Sequence, residues 1–182
     1  GKTAICASLG KLGTACMELL SAAPGSGIYT CDGFRLPTEA EWEYAYRAGS
    51  QTPLYKSKSS NGLITECNLK DTNASHIGWY GSNTPTANKV NRVKQMEPNT
   101  WKLYDMAGNV AEWTHDYYKA DLGADAITDP VIPIVPAEMT KMVVRGGSAS
   151  GTPADLRGAA RALYNHTANV WNVGFRCVRT MK

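Results

Sequence analysis

Apolar and polar positions follow a recognisable period over only a few short stretches of this chain. Leu9, Leu12, Cys16, Leu19 and Leu20 recur at helical spacing ahead of the turn-rich Ala23-Pro24-Gly25-Ser26-Gly27. A sharper signal follows. Thr38-Glu39-Ala40-Glu41 reads as a capping box, the Thr38 hydroxyl accepting from the Glu41 amide and the Glu41 carboxylate from the Thr38 amide. It predicts a helix from Glu39 to about Ala48, with Trp42, Ala45 and Tyr46 on one face. Glu43 and Arg47 are then one turn apart and able to pair, and Gly49 supplies the stop. Over 50–100 Asn, Ser, Thr, Gly and Lys dominate and neither period persists, which predicts a long, loop-dominated region. The stretch 116–140 repeats this pattern, because Pro130, Pro133 and Pro136 exclude a helix. Two strands are predicted near the C-terminal end. Met142–Arg145 is rich in β-branched residues, and over Val173–Arg179 the positions Val173, Phe175 and Cys177 alternate with Gly174, Arg176 and Val178.

Composition narrows the class. A length of 182 residues suits one domain, with 1–32 an irregular, cysteine-containing lead-in to the unit formed by 33–182. With 43% hydrophobic and 19% charged residues the chain reads as globular, and no run approaches the roughly 18 apolar residues of a membrane span. The net charge of +3 is spread out, with no basic run interleaved with aromatics, so nucleic acid is not an expected partner. The start Gly1-Lys2-Thr3 reads as that of an internal or processed product. Five cysteines without CxxC spacing, beside three histidines, argue for disulfides over zinc. Cys6, Cys16, Cys31 and Cys67 are the candidates, with plain buried thiols the alternative. Cross-linking would place the protein in an oxidising setting: secreted, periplasmic or on the cell surface.

Four phrases carry more information than any period. They are Arg35-Leu36-Pro37-Thr38-Glu39-Ala40-Glu41-Trp42-Glu43, Leu103-Tyr104-Asp105-Met106-Ala107-Gly108-Asn109-Val110-Ala111-Glu112-Trp113, Val144-Arg145-Gly146-Gly147-Ser148 and Gly174-Phe175-Arg176. In this order and spacing, over roughly 33–178, they resemble the formylglycine-generating-enzyme family, also called sulfatase-modifying factors. The resemblance implies an α+β, C-type-lectin-like fold: a small antiparallel sheet, few helices and many long loops. It implies Trp42, Trp101, Tyr104, Trp113 and Phe175 as core aromatics. It also implies Ca²⁺ in the 105–112 loop, held by the side chains of Asp105 and Glu112 and the carbonyls of Gly108 and Val110. Carboxylates and free carbonyls are the hard oxygen donors that calcium takes. In the alternative reading Asp105 caps the turn and Glu112 makes a buried ion pair. A second family calcium site would begin near Asn68 and Leu69, but its downstream acidic ligand has no clear counterpart.

The family's oxidation chemistry uses copper held by two thiolates a few residues after the Gly-Gly-Ser turn, and soft sulfur is what Cu(I) requires. Here that stretch, Ala149 to Arg157, holds no cysteine, and Cys177 matches a structural position. The related iron-dependent sulfoxide synthases that make ergothioneine need a histidine triad, whereas His76, His115 and His166 are scattered. The reading is therefore a non-catalytic, calcium-stabilised binding or structural module, with formylglycine-generating oxidase activity as the alternative. The segment 148–172 interleaves frame-like positions with Ser150, Thr152, Asp155, Tyr164, Asn165, His166, Asn169, Trp171 and Asn172, which are expected to form a contact face. That arrangement is similar to the variable region of ligand-binding proteins diversified by retroelements. Expected partners are a protein or carbohydrate ligand, another chain that completes the domain, or a second copy in a homo-oligomer.

Overall fold

The computed structural model describes residues 28–30, 33–58, 61–67, 70–87, 89–132 and 141–180. The leucine-periodic stretch, the turn at 23–27, Cys6, Cys16, Cys31, Asn68, Leu69, Pro133 and Pro136 lie outside them.

The capping box forms. Thr38 Oγ1 accepts from Glu41 N at 3.2 Å and Glu41 Oε2 from Thr38 N at 2.8 Å, which starts helix α1, Glu39–Arg47. Glu43 and Arg47 pair at 2.7 Å, and the chain leaves the helix at Ala48, φ 45°, one residue ahead of Gly49. Trp42 and Tyr46 face inward and stack with Tyr55, Leu54, Ile77, Tyr80, Met106 and Leu156 in the main core. Each of these large side chains contributes roughly 1.5–3 kcal/mol by leaving water.

Strand β1 is Phe34–Arg35, β2 Gly78–Trp79, β3 Ala107–Gly108, β4 Ala111–Tyr117, β5 Lys141–Arg145, β6 Ala162–Asn165, β7 Val173–Gly174 and β8 Val178–Arg179. The largest sheet has the order β6-β5-β4-β7. Pairing is antiparallel across β6, β5 and β4, while β7 joins β4 in parallel, with Ala111 opposite Val173 and Glu112 opposite Gly174. A parallel pair β2-β3 and an antiparallel pair β1-β8 complete the frame, so the small antiparallel sheet expected is present as β6-β5-β4, with parallel pairs added to it.

Strand β4 has no signature in the sequence because six of its seven residues are buried, which removes the alternation that marks a one-sided strand. The stretch expected as one strand at 173–179 is two, β7 and β8, and Phe175 between them turns outward at 52% exposure. Trp101 is likewise 48% exposed: it stands in a turn where Asn99 Oδ1 accepts from Trp101 N and Leu103 N, and it packs edge-on against Tyr44 on the outer side of α1. Trp42 and Trp113 are core residues as expected, and Tyr104 is half-buried.

Among the described residues, the region 50–100 contains β2 and otherwise turns and irregular chain, and much of 65–80 is organised around one buried carboxylate. Asp71 accepts from Thr65 N (2.8 Å), Thr65 Oγ1 (3.0 Å), Glu66 N (3.2 Å), Asn73 N (2.8 Å) and Ala74 N (2.8 Å). Burial alone would raise its pKa, but these donors outweigh it and hold the group below the usual carboxylate range. Among the described residues no helix is long and apolar enough to cross a membrane.

Candidate functional site

Strand β5 is followed by Gly146-Gly147, and both glycines have positive φ. At Gly147, φ 70°, a Cβ would lie 2.9 Å from the Asp155 carbonyl oxygen. The missing side chain lets the chain double back onto the short 3-10 turn Pro153–Leu156. A cavity of about 260 Å³ opens behind this turn, lined by Ser148, Ser150, Asp155, Arg161, Tyr164 and Asn172 together with glycines and alanines. One wall is a small hydrogen-bonded cluster: Asn172 Nδ2 donates to Ser148 Oγ at 3.2 Å and to Ser150 Oγ at 2.9 Å, and the two hydroxyls are 3.2 Å apart. Tyr164 also lines the cavity, and its ring meets Trp113 edge-on at 6.2 Å.

The charges around the cavity are largely consumed within the protein. Arg161 donates from Nε (2.6 Å) and Nη2 (2.9 Å) to the Glu39 carboxylate and from Nη1 to the Lys119 carbonyl. Glu39 also faces the buried Arg145, which is paired with Glu43 and donates to the Ala160 carbonyl at 2.5 Å. Burial lowers the Arg145 pKa, and the two glutamates oppose that shift. Asp155 Oδ2 accepts from Thr152 N and Oγ1 at 2.7 and 2.9 Å. Hydroxyl, amide, carboxylate and phenol are thus what the cavity offers a ligand. None of its lining residues is a cysteine or histidine, so neither a soft-metal pair nor a serine–imidazole arrangement is built into it.

Of the expected contact residues, Ser150, Asp155, Tyr164 and Asn172 come together here, and Thr152 braces Asp155 from behind. The others do not line the cavity. Asn165 Oδ1 accepts from Thr167 N and Oγ1 in a turn, His166 lies 6.5 Å from the Tyr117 ring, and Asn169 and Trp171 are exposed beyond the rim. Cys67 has a free, exposed thiol, so of the four disulfide candidates the one that is described carries no cross-link.

The 105–112 loop has left-handed residues at Asp105 (φ 55°), Gly108 (φ 71°) and Asn109 (φ 65°). A Cβ on Gly108 would collide with the Trp79 backbone, its nitrogen 2.7 Å away, so only glycine lets β3 lie against β2. Glu112 Oε2 accepts from Arg176 Nε at 2.5 Å and from Trp42 Nε1 at 2.7 Å, and Oε1 accepts from Arg176 Nη2 at 2.6 Å. The same Nη2 reaches the carbonyls of Asp105 (3.2 Å) and Tyr104 (3.3 Å), while Asp105 Oδ2 accepts from Lys94 N at 2.8 Å. A guanidinium thus already faces the oxygens at the acidic end of the loop. A divalent ion bound through Glu112 would have to compete with Arg176 for that carboxylate and sit beside its charge.

Within β4, burial and the Glu39 charge raise the Asp116 pKa to about 6, although Asp116 accepts from Glu39 N (2.6 Å) and Ile132 N (2.8 Å). Burial and the Arg35 charge lower that of His115 to about 4.

This frame agrees with known proteins. The model of the sulfatase-modifying factor enzyme 1-like domain matches residues 3–181, and the chain belongs to that family. It is 35% identical over 156 residues to the serine/threonine-protein kinase pkn1 of Chlamydia pneumoniae, covering 86% of this chain and 22% of the kinase. It is 34% identical over 152 residues to the formylglycine-generating enzyme of Streptomyces coelicolor, covering 80% of this chain and 46% of the enzyme. The chain therefore spans from under a quarter to about half the length of these relatives. Among solved structures, Treponema denticola variable protein 1 superposes with a TM-score of 0.65 at 34% identity, covering 82% of this chain and 48% of that one. PvdO from Pseudomonas aeruginosa, at a TM-score of 0.66 and 24% identity over 81% of this chain and 53% of its own, shares the fold.

Proposed function

We propose that the chain is a non-catalytic binding module of this family, whose cavity behind Gly146-Gly147 receives part of a protein or carbohydrate ligand. The observation that carries this reading is the cavity's lining. In the stretch where the family resemblance expects a thiolate pair stand Ser150 and Gly151, and Ser150 and the preceding Ser148 are tied to Asn172 by hydrogen bonds. A hydrogen-bonded cluster of neutral polar groups in one cavity with an aromatic ring suits recognition by hydrogen bonds and stacking. Similarity to Treponema denticola variable protein 1 supports the same reading, since side chains that change over a fixed frame are what a recognition face requires. Similarity to pkn1, of which the chain matches under a quarter, supports a module that serves larger polypeptides. In this reading the 105–112 loop is held by the Arg176–Glu112 pair and not by calcium.

The test is to probe a printed array of glycans and peptides with the labelled chain, and with Asn172→Arg and His166→Ala variants of unchanged melting temperature. A class of bound probe whose signal falls about tenfold or more in Asn172→Arg, which fills the cavity, and persists in His166→Ala is the expected result. An array with no bound probe, or undiminished binding by Asn172→Arg, contradicts the proposal.

A further inference from the structure

A second cavity, of about 290 Å³, lies away from the one just described and is lined by Lys58, Lys70, Thr72, Ser75 and His76. Its side chains are two ammonium groups, an imidazole and two hydroxyls, with no carboxylate among them. Cations gathered around a concavity raise the local concentration of anions, and ammonium and hydroxyl groups are donors to oxyanion oxygens.

Two acids bear on the cavity. Glu97 is paired with Lys56, and its carboxyl is held below the usual range chiefly by that hydrogen bond, with smaller contributions from the charges of His76 and Lys58, which it offsets only in part. Asp71, beneath the cavity, is fully buried and saturated by its five donors. The backbone under the cationic groups is clamped. Lys58 N donates to Asn73 Oδ1 at 3.2 Å, Asn73 Nδ2 to the Leu63 carbonyl at 2.7 Å, and Glu97 N to the His76 carbonyl at 2.9 Å. Ser75 Oγ donates its one proton to the Asp71 carbonyl at 2.5 Å and lies 2.7 Å from the Tyr80 hydroxyl, so the donors left to an anion are the two ammonium groups, the imidazole and the Thr72 hydroxyl. Binding an anion would therefore order lysine side chains and leave the loop as it is, which keeps the entropic cost small.

We infer that this cavity is an oxyanion site, taking a phosphate or sulfate group and part of the small molecule that carries it. It is independent of the recognition cavity and does not rest on that reading.

The test titrates the full chain with inorganic phosphate and with sulfate, using chloride at equal ionic strength as the control, and follows backbone amide shifts and binding heat. Saturable shifts at Thr72, Ser75 and His76 with phosphate or sulfate but not chloride are expected. The Lys58→Gln/Lys70→Gln double variant should bind roughly tenfold more weakly or worse, since each charge-assisted contact is worth more than a neutral one. Lys89→Gln, outside the lining, should bind as the unaltered chain does. Phosphoserine and glucose 6-phosphate, each against its unphosphorylated parent, then separate a carried group from the free ion. Equal responses to chloride, shifts centred elsewhere, or an unaffected double variant would each overturn the inference. The shift map needs no variant, so poor folding of the double variant leaves the test intact.

Discussion

Replacing Arg176 with leucine tests the way the loop and the last strands are held together. Arg176 makes four hydrogen bonds, two to Glu112 and one each to the Tyr104 and Asp105 carbonyls. The Glu112 side chain is 8% exposed and that of Arg176 25%, so the pair is sheltered but not dry. Breaking a buried pair costs roughly 3–5 kcal/mol, because the remaining charge stays in a poor solvent, and the partial exposure of Arg176 places the loss near 3 kcal/mol. Against a total of about 5–15 kcal/mol this is large, and it corresponds to a fall of roughly 10 °C in melting temperature for a chain of this size. Urea melts of the unaltered chain, Arg176→Leu, Glu112→Gln and the double variant supply the cycle. A coupling of about 2 kcal/mol or more is expected, and a single-variant loss below about 1 kcal/mol refutes the reasoning.

Three further outcomes follow from the same geometry. Millimolar Ca²⁺ or EDTA should leave the melting temperature unchanged, since Arg176 already neutralises the Glu112 carboxylate and ties it to the loop; a rise with Ca²⁺ that EDTA reverses contradicts this. His115 is held near pKa 4, below its usual 6.5, so the stability it contributes is complete above about pH 6.5 and is lost as pH falls toward 4. Asp116, raised to about 6, acts in the opposite sense and favours the fold as pH falls from about 6 toward 4. Subtracting the pH profiles of His115→Gln and the unaltered chain isolates the histidine, and the variant should gain on the order of 2 kcal/mol relative to the parent between pH 7 and 5. A flat difference counts against a buried neutral His115. Asp71→Asn should cost roughly 2–4 kcal/mol, because an amide presents N–H groups to backbone donors; a loss within about 0.5 kcal/mol in urea melts would show that Asp71 does not organise the 65–80 loop.

What the sequence made legible was local, or carried by the family resemblance. The helix at Glu39 was readable because its cap, its inward face and its Glu43–Arg47 pair all lie within ten residues. The Gly146-Gly147 turn and the positions of Ser150, Asp155, Tyr164 and Asn172 were found through the four phrases and the polar pattern between them. The hidden parts depend on contacts distant in sequence. Strand β4 is covered on both faces, so its Glu112, Thr114, His115 and Asp116 look like loop residues until their partners are known. Glu39 and Arg161 meet across 122 residues, and Glu112 and Arg176 across 64, with no periodic mark on either. Asp71 opens an Asp-Thr-Asn turn, which its composition suggests, but no local pattern reveals that five donors converge on it. Trp101 and Phe175 were expected in the core because aromatics in family motifs are usually buried, and both stand at breaks between elements where the chain turns them outward.

The central claim, that the cavity recognises a ligand and does not oxidise one, is tested most directly by incubating the full chain with Cu(I), oxygen and a cysteine-containing sulfatase peptide, then examining the peptide by mass spectrometry. The account predicts that the cysteine survives unchanged, as in a protein-free control. Conversion of the cysteine to formylglycine above that control would contradict it.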